Sequence, residues 1–232
     1  MKSVSQILLK SGSLIYLHIV EVLLVSLMWS VLIIPAVVIL PIQTAILYLA
    51  VMVIPATTAA IYAINERFHH KKKLVKLFWK GFFTLYRRSV GVSLILSLAI
   101  LIPVSTWWYY IQFNSGYGFF LFAVFQTYLC VMFLLTQMYA PALVAVHGMK
   151  TIEAMNQSIR YFLKYPWYTV VFFIQVLSIT GLLALTFIGF FLLYAGMISI
   201  LIRTSTFNIQ EGSQENKRKQ EEKTFVNHTL HT

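Results

Sequence analysis

The sequence predicts an all-α, polytopic membrane protein with about six transmembrane helices, arranged as three hairpins joined by two amphipathic cytoplasmic interfacial helices. Three observations carry the prediction. Hydrophobic residues make up 59% of the 232-residue chain and charged residues only 11%, against about 25% in ordinary soluble domains. Mean hydropathy is +0.78, and so few charges could not cover a water-facing surface. Uncharged runs long enough to span a bilayer alternate with short basic segments. Finally, the 18 Lys and Arg, against 7 Glu and no Asp, all fall on one side if six spans are drawn.

The elements follow in order. Residues 1–13 form a polar and basic lead. The apolar run from Leu14 is too long for the h-region of a cleaved signal and reads as a retained span. Leu14 to Ile64 holds about 51 residues, enough for two helices of about 20. Pro35 and Pro41 mark the turn, since proline disfavours helix on its N-terminal side. The expected spans are 14–35 and 41–64. Ser89–Phe113 forms the third and ends in Trp107-Trp108-Tyr109-Tyr110, a composition suited to the headgroup level. Asn114-Ser115-Gly116-Tyr117-Gly118 is a turn, and Phe119–Val146 the fourth span. Trp167–Ile202 is uncharged for 36 residues, about 54 Å as one helix against a hydrocarbon core of about 30 Å. Two short spans turning near Thr180-Gly181 fit better, with a re-entrant pair as the alternative. Residues 1–203 form one transmembrane domain; 204–232, polar and charge-mixed, read as a disordered cytoplasmic tail.

Basic residues set the orientation. Two precede the first span, eight lie in 65–88, three in 147–166 and five in 203–232, the whole inventory of 18. Six spans with both termini cytoplasmic follow from the positive-inside tendency. That placement assigns the net charge of +11 to the membrane surface rather than to nucleic acid. Within the basic run from His69 to Arg88, Lys73, Lys76, Lys80 and Arg87 recur at helical spacing opposite Leu77, Phe78, Phe82 and Leu85. These four are the candidate contacts to anionic headgroups. Lys150, Glu153, Gln157, Arg160 and Lys164 repeat the pattern against Ile152, Met155, Ile159 and Leu163. A faint internal repeat pairs Pro55-Ala-Thr-Thr-Ala-Ala-Ile-Tyr-Ala with Pro141-Ala-Leu-Val-Ala-Val-His.

Candidate functional residues are few. His18 and Glu21 sit one helical turn apart in the first span. An ionisable group at membrane depth is a functional hypothesis by default, although both stand close enough to Ser13 to reach water. Gln126 and Gln137, with Gln43 and Gln175, either line a polar path or make interhelical hydrogen bonds of about 1 kcal/mol. Adjacent His69 and His70 do not share a helix face, and the lysines beside them repel a cation. No His-Glu-x-x-His, P-loop or Gly-x-Ser-x-Gly pattern occurs, so no catalytic residue, metal or cofactor is assigned and an enzyme is not expected. Cys130 lies in an apolar run as a packing residue. The sequon Asn227-His228-Thr229 falls on the cytoplasmic side, where it would stay unmodified.

Pro55-Ala-Thr-Thr-Ala-Ala-Ile-Tyr at the end of the first hairpin resembles the signature of the YesL-like family of bacterial integral membrane proteins. Leu77-Phe78-Trp79-Lys80-Gly81-Phe82-Phe83 and Tyr139-Ala140-Pro141-Ala142-Leu143 are similar to its later elements. The longer first hairpin and the richer basic insertion depart from that pattern, so the chain resembles a divergent member. The resemblance implies a bacterial plasma-membrane protein associated with carbohydrate uptake by ABC transporters, with a permease as partner and no catalytic residues to carry over. Two readings therefore stand: an accessory or transport-related protein, or a small stand-alone transporter using its intramembrane polar residues. A reporter carried beyond Arg203 is expected to report the cytoplasm; an extracytoplasmic signal would refute six spans.

Overall fold

The computed structural model describes residues 3–69, 73–113 and 116–230, without the side chains of 69, 216, 217 and 219–230. These residues form α-helices and no strand: α1 (Val4–Leu17), α2 (Ile19–Val38), α3 (Ile42–His69), α4 (Leu74–Phe113), α5 (Tyr117–Thr136), α6 (Ala140–His147), α7 (Thr151–Lys164), α8 (Pro166–Leu185) and α9 (Phe187–Leu230). Six runs are long and apolar enough to cross a membrane: Ile19–Val38, Ile42–Phe68, Leu74–Phe113, Tyr117–His147, Pro166–Leu185 and Phe187–Glu215. The all-α, six-span architecture expected for a multi-pass membrane protein is what the chain adopts. The spans pair as α2 with α3, α4 with α5, and α8 with α9.

In the first and last hairpins the returning helix, α3 or α9, is the more buried of the two, whereas in the second it is the outgoing α4. α3 touches α2, α4, α6 and α9, and its stretch from Ala56 to Ile64 is almost wholly buried. The residues there are small: Ala56, Ala59, Ala60 and Ala63. Lipid tails are as apolar as leucine, so helices in a bilayer gain by close contact, and small side chains permit it. α6 is buried from Ala140 to Ala145, and α9 buries Ala195, Ile198 and Leu201. α2 meets α9 the same way. Ser26 Oγ accepts from Gly196 N at 2.9 Å, and Ser30 Oγ donates to Phe191 O at 2.5 Å. By contrast α5 buries only Ala123 and Leu135, and α8 only Thr169 and Phe172; both turn most of their surface outward to lipid.

Several sequence expectations need correction. The first span begins at Ile19, not Leu14, because the chain breaks at His18 (φ −114°, ψ 33°). Most of the polar and basic lead expected over 1–13 joins the first residues of the expected span in a separate helix, Val4–Leu17, opened by a Ser3/Gln6 capping box. The first basic belt is not a separate surface helix. Leu74, Phe78, Gly81, Leu85, Ser89, Val92 and Leu96 are buried on one unbroken face that α3 covers, so α4 runs straight through for 40 residues, about 60 Å. A helix lying flat would have to bend before entering the bilayer, and no proline falls between 74 and 102. The second belt does form its own helix, α7. The fourth span is broken at Gln137–Tyr139 between α5 and α6. The last turn comes at Thr186 rather than at Thr180-Gly181. Thr180 Oγ1 bonds back to Val176 O within α8 at 2.8 Å, while Thr186 Oγ1 reaches Leu183 O at 3.1 Å.

The expected disordered tail is also revised. α9 continues past Arg203 with its backbone helical to Leu230, and Thr204, Ser205, Thr206, Asn208 and Ile209 are buried. Its polar residues find partners: Gln210 Nε2 lies 2.6 Å from His147 Nε2, and Lys164 Nζ donates to Ser213 Oγ at 2.7 Å. His70 to Lys72 of the basic run, and Asn114-Ser115 of the expected turn, lie outside the described residues. The aromatic cluster packs helix to helix: Trp107 stands edge-on to Phe120 at 5.9 Å and donates its indole N–H to Thr127 Oγ1 at 2.9 Å.

A Cβ on Gly196 would stand 2.5 Å from Val22 O and 2.7 Å from Val22 Cα, backbone atoms that cannot step aside. Gly196→Ala is therefore expected to cost about 1–3 kcal/mol, whereas Gly12→Ala, in open space, should gain about 0.5–1 kcal/mol. Thermal unfolding in a common detergent measures both, and the opposite order would refute the α2–α9 crossing.

Candidate functional site

Polar groups gather at two places. The first is a seam at the basic end of the bundle, where the α1–α2 joint, the end of α3 and the middle of α9 come together. His18 closes α1 through its N–H to Leu14 O and opens α2 by accepting from Val22 N, at 3.0 Å each. Its Nδ1 lies 3.6 Å from Glu21 Oε2, and Glu21 Oε1 lies 3.6 Å from Arg67 on α3. All three side chains are partly exposed, so this ion pair is worth about 1 kcal/mol or less.

Arg203 is held more firmly. Its Nε donates to Asn65 Oδ1 at 2.8 Å, and its guanidinium sits between two rings, 4.9 Å from the Phe68 centroid and 4.8 Å from that of Phe207. Phe68 in turn meets His18 with its ring tilted, the centroids 4.8 Å apart. Stacking of this kind contributes about 0.5–2 kcal/mol according to burial. The first charge after the 36-residue uncharged run thus pins α9 to α3.

The second place is the break in the fourth span. Ser158 of α7 bridges it, its Oγ donating to Thr136 O at 2.5 Å and accepting from Tyr139 N at 3.2 Å. Tyr139, fully buried, donates its hydroxyl to Thr169 Oγ1 at 3.2 Å. Beside it Tyr168 pairs with Ser205 at 3.0 Å. Gln137 is 1% exposed; its Nε2 reaches only Thr136 Oγ1, at 3.4 Å, and its Oε1 has no partner. Leaving such an acceptor dry costs about 1–3 kcal/mol.

The remaining candidates are dispersed. Gln126 Oε1 accepts from Thr106 Oγ1 at 2.6 Å, an interhelical bond between α5 and α4. Gln43 lines an apolar groove of about 500 Å³ between α3 and α4 with Leu47, Ala50 and Leu98. Gln175 is half-buried on α8. Lys73, Lys76, Lys80 and Arg87 are exposed on the side of α4 opposite its buried stripe. Arg88, which the helical spacing left out, ties α4 to the α6–α7 turn. Its guanidinium donates to Gly148 O, and its own carbonyl accepts from Thr151 Oγ1 at 2.8 Å. Gly148 closes α6 at φ +60°, a conformation that favours glycine.

Sequence reasoning placed His18 and Glu21 one helical turn apart within the first span. Their side chains meet at 3.6 Å, with His18 at the joint before the span, while Asn65, Ser158, Tyr139 and Arg203 were not singled out. The signal for Arg203 was present as the first cation after a long uncharged run. Ser158 had none, being one serine in a polar helix. Among the described residues no three His, Cys, Asp or Glu side chains group to hold a metal.

No family model matches the chain, and neither does any curated protein or solved structure compared with it. The seam itself makes a prediction. Asn65→Ala strips the acceptor from a partly buried guanidinium and is expected to cost about 1–3 kcal/mol, while Glu21→Gln should cost less than about 1 kcal/mol. Thermal unfolding of the two variants in one detergent compares them, and a larger loss for Glu21→Gln would displace Arg203 as the anchor.

Proposed function

We propose that this multi-pass protein is an accessory component of the bacterial plasma membrane, working through contacts with a partner membrane protein. The partner class is a carbohydrate ABC permease, taken from the YesL-like resemblance at Pro55–Tyr62. The observation that carries the reading is the closed interior. Helices α3, α6 and α9 pack together, with Ala56, Ala59, Ala60, Ala63, Ala140, Ala142 and Ala195 all buried. α5 and α8, by contrast, bury only two residues each. A chain with a large exposed apolar surface and closely packed inner helices suits helix–helix association better than conduction.

A stand-alone transporter is the second reading, favoured by one observation: the fourth span is discontinuous and holds the unpartnered Gln137 oxygen at its break. Broken helices with unsatisfied polar groups form the substrate sites of many secondary transporters.

The two readings separate in reconstitution and co-purification. The accessory reading expects the protein to leave the membrane in mild detergent with a permease, and to give no flux when reconstituted alone. Consistent isolation without a partner would sink it. The transporter reading expects flux from the purified protein, abolished by Gln137→Leu or Glu21→Gln while folding survives. Gln137→Leu removes a dry acceptor at similar volume and should leave stability unchanged or raised.

A further inference from the structure

A cleft of about 210 Å³ lies between α1 and α9, lined by Ile7, Lys10, Leu14, Arg203, Thr204, Phe207, Asn208 and Glu211. It differs from the seam described above, although Arg203 borders both. Three features make it more than a packing gap. Lys10 makes no ion pair or hydrogen bond among the described residues, and Arg203 uses only its Nε on Asn65, leaving the four outer N–H groups without a protein acceptor. Glu211 pairs with neither cation within 4.0 Å. Thr204, 6% exposed, lines the cleft, yet its hydroxyl has no partner and has not folded back onto its own helix, as those of Thr206 and Ser199 have. A buried hydroxyl without a partner is costly unless something absent from the protein completes it.

We propose that this cleft binds a phosphate-bearing monoanion, with Lys10 and the free edge of Arg203 as cations and Thr204 as hydroxyl donor. The charges decide the valence: two cations against Glu211 leave a surplus of one. Size agrees, since a cleft of about 210 Å³ has room for a phosphodiester and its nearest carbons. Ile7, Leu14 and Phe207 supply an apolar wall for those carbons. Arg and Lys together are well suited to phosphate oxygens. Position points to a lipid headgroup as the source. α1 exposes Leu9, Tyr16 and Leu17 at 73%, 82% and 69% beside Lys10, an apolar surface suited to the acyl boundary at the basic end of the bundle. The site stands independently of the partner proposed above.

The test uses the full chain, delipidated in a neutral detergent, with the thermal midpoint titrated against dihexanoyl phosphatidylglycerol, dihexanoyl phosphatidylcholine and sodium phosphate at matched ionic strength. The midpoint should rise saturably with phosphatidylglycerol and not with the zwitterionic lipid. A rise with inorganic phosphate as well would make the free anion sufficient; a rise with phosphatidylglycerol alone would assign the lipid. Lys10→Gln and Thr204→Val should each weaken half-saturation about tenfold, while Arg218→Gln, exposed further along α9, leaves it unchanged. Lys10 is exposed and Thr204→Val preserves volume, so neither variant threatens folding. No rise with either anion overturns the proposal, as does equal binding by wild type, Lys10→Gln and Thr204→Val, or a loss in Arg218→Gln matching theirs.

Discussion

The close approach of α3 to α2, α4, α6 and α9 is the contact on which the rest of the molecule depends. In water, helices of this composition would be driven together by burial of apolar surface. Between lipid tails that drive is absent, and association rests on van der Waals fit and on hydrogen bonds across helices. The alanine run of α3, the serines of α2 and Gly196 of α9 supply that fit. Larger residues at these positions would separate the helices, and the buried serine and threonine hydroxyls would lose their partners. The aliphatic bulk of the chain is turned outward, where lipid accepts it.

That same constraint explains where polar groups are tolerated. A backbone break inside a bilayer must be satisfied by the protein, and Ser158 does this for the break between α5 and α6, bonding both sides of it. Arg203 enters the bundle because two aromatic rings and an amide receive it. Glu21 stands where Arg67 can reach it. Among the described residues Ser11, Thr58, Gln137 and Thr204 are the exceptions, each buried and holding a side-chain atom without a partner. A packed interior holds such groups at a cost; of the four, Gln137 sits at the break in the fourth span and Thr204 lines the α1–α9 cleft.

How far the sequence could be read depended on the range of the interaction. Charge asymmetry and apolar run length are sums over many residues, so spans, hairpins and the basic end were all legible. The amphipathic segments were legible as helices, but their partners were not. Leu77, Phe78, Phe82 and Leu85 form an apolar face that suits lipid and protein equally, and only the presence of α3 alongside decides that it is protein. For the same reason the tail was misjudged. A polar segment such as Thr204–Gln210 looks unable to bury itself until Tyr168, His147 and α1 are brought to it.

By itself, then, the sequence determined what the bilayer enforces: an all-helical chain, six crossings, and Lys and Arg confined to one end, because a lipid solvent penalises charge and open backbone regardless of the neighbouring helices. Tertiary structure decided what depends on neighbours. It ran the belt into α4 as one helix, broke the fourth span at Gln137, continued α9 past Arg203 and placed Lys10 opposite Thr204. Each of these rests on contacts between residues distant in sequence, where small side chains let backbones approach and where one polar group meets another across the bundle.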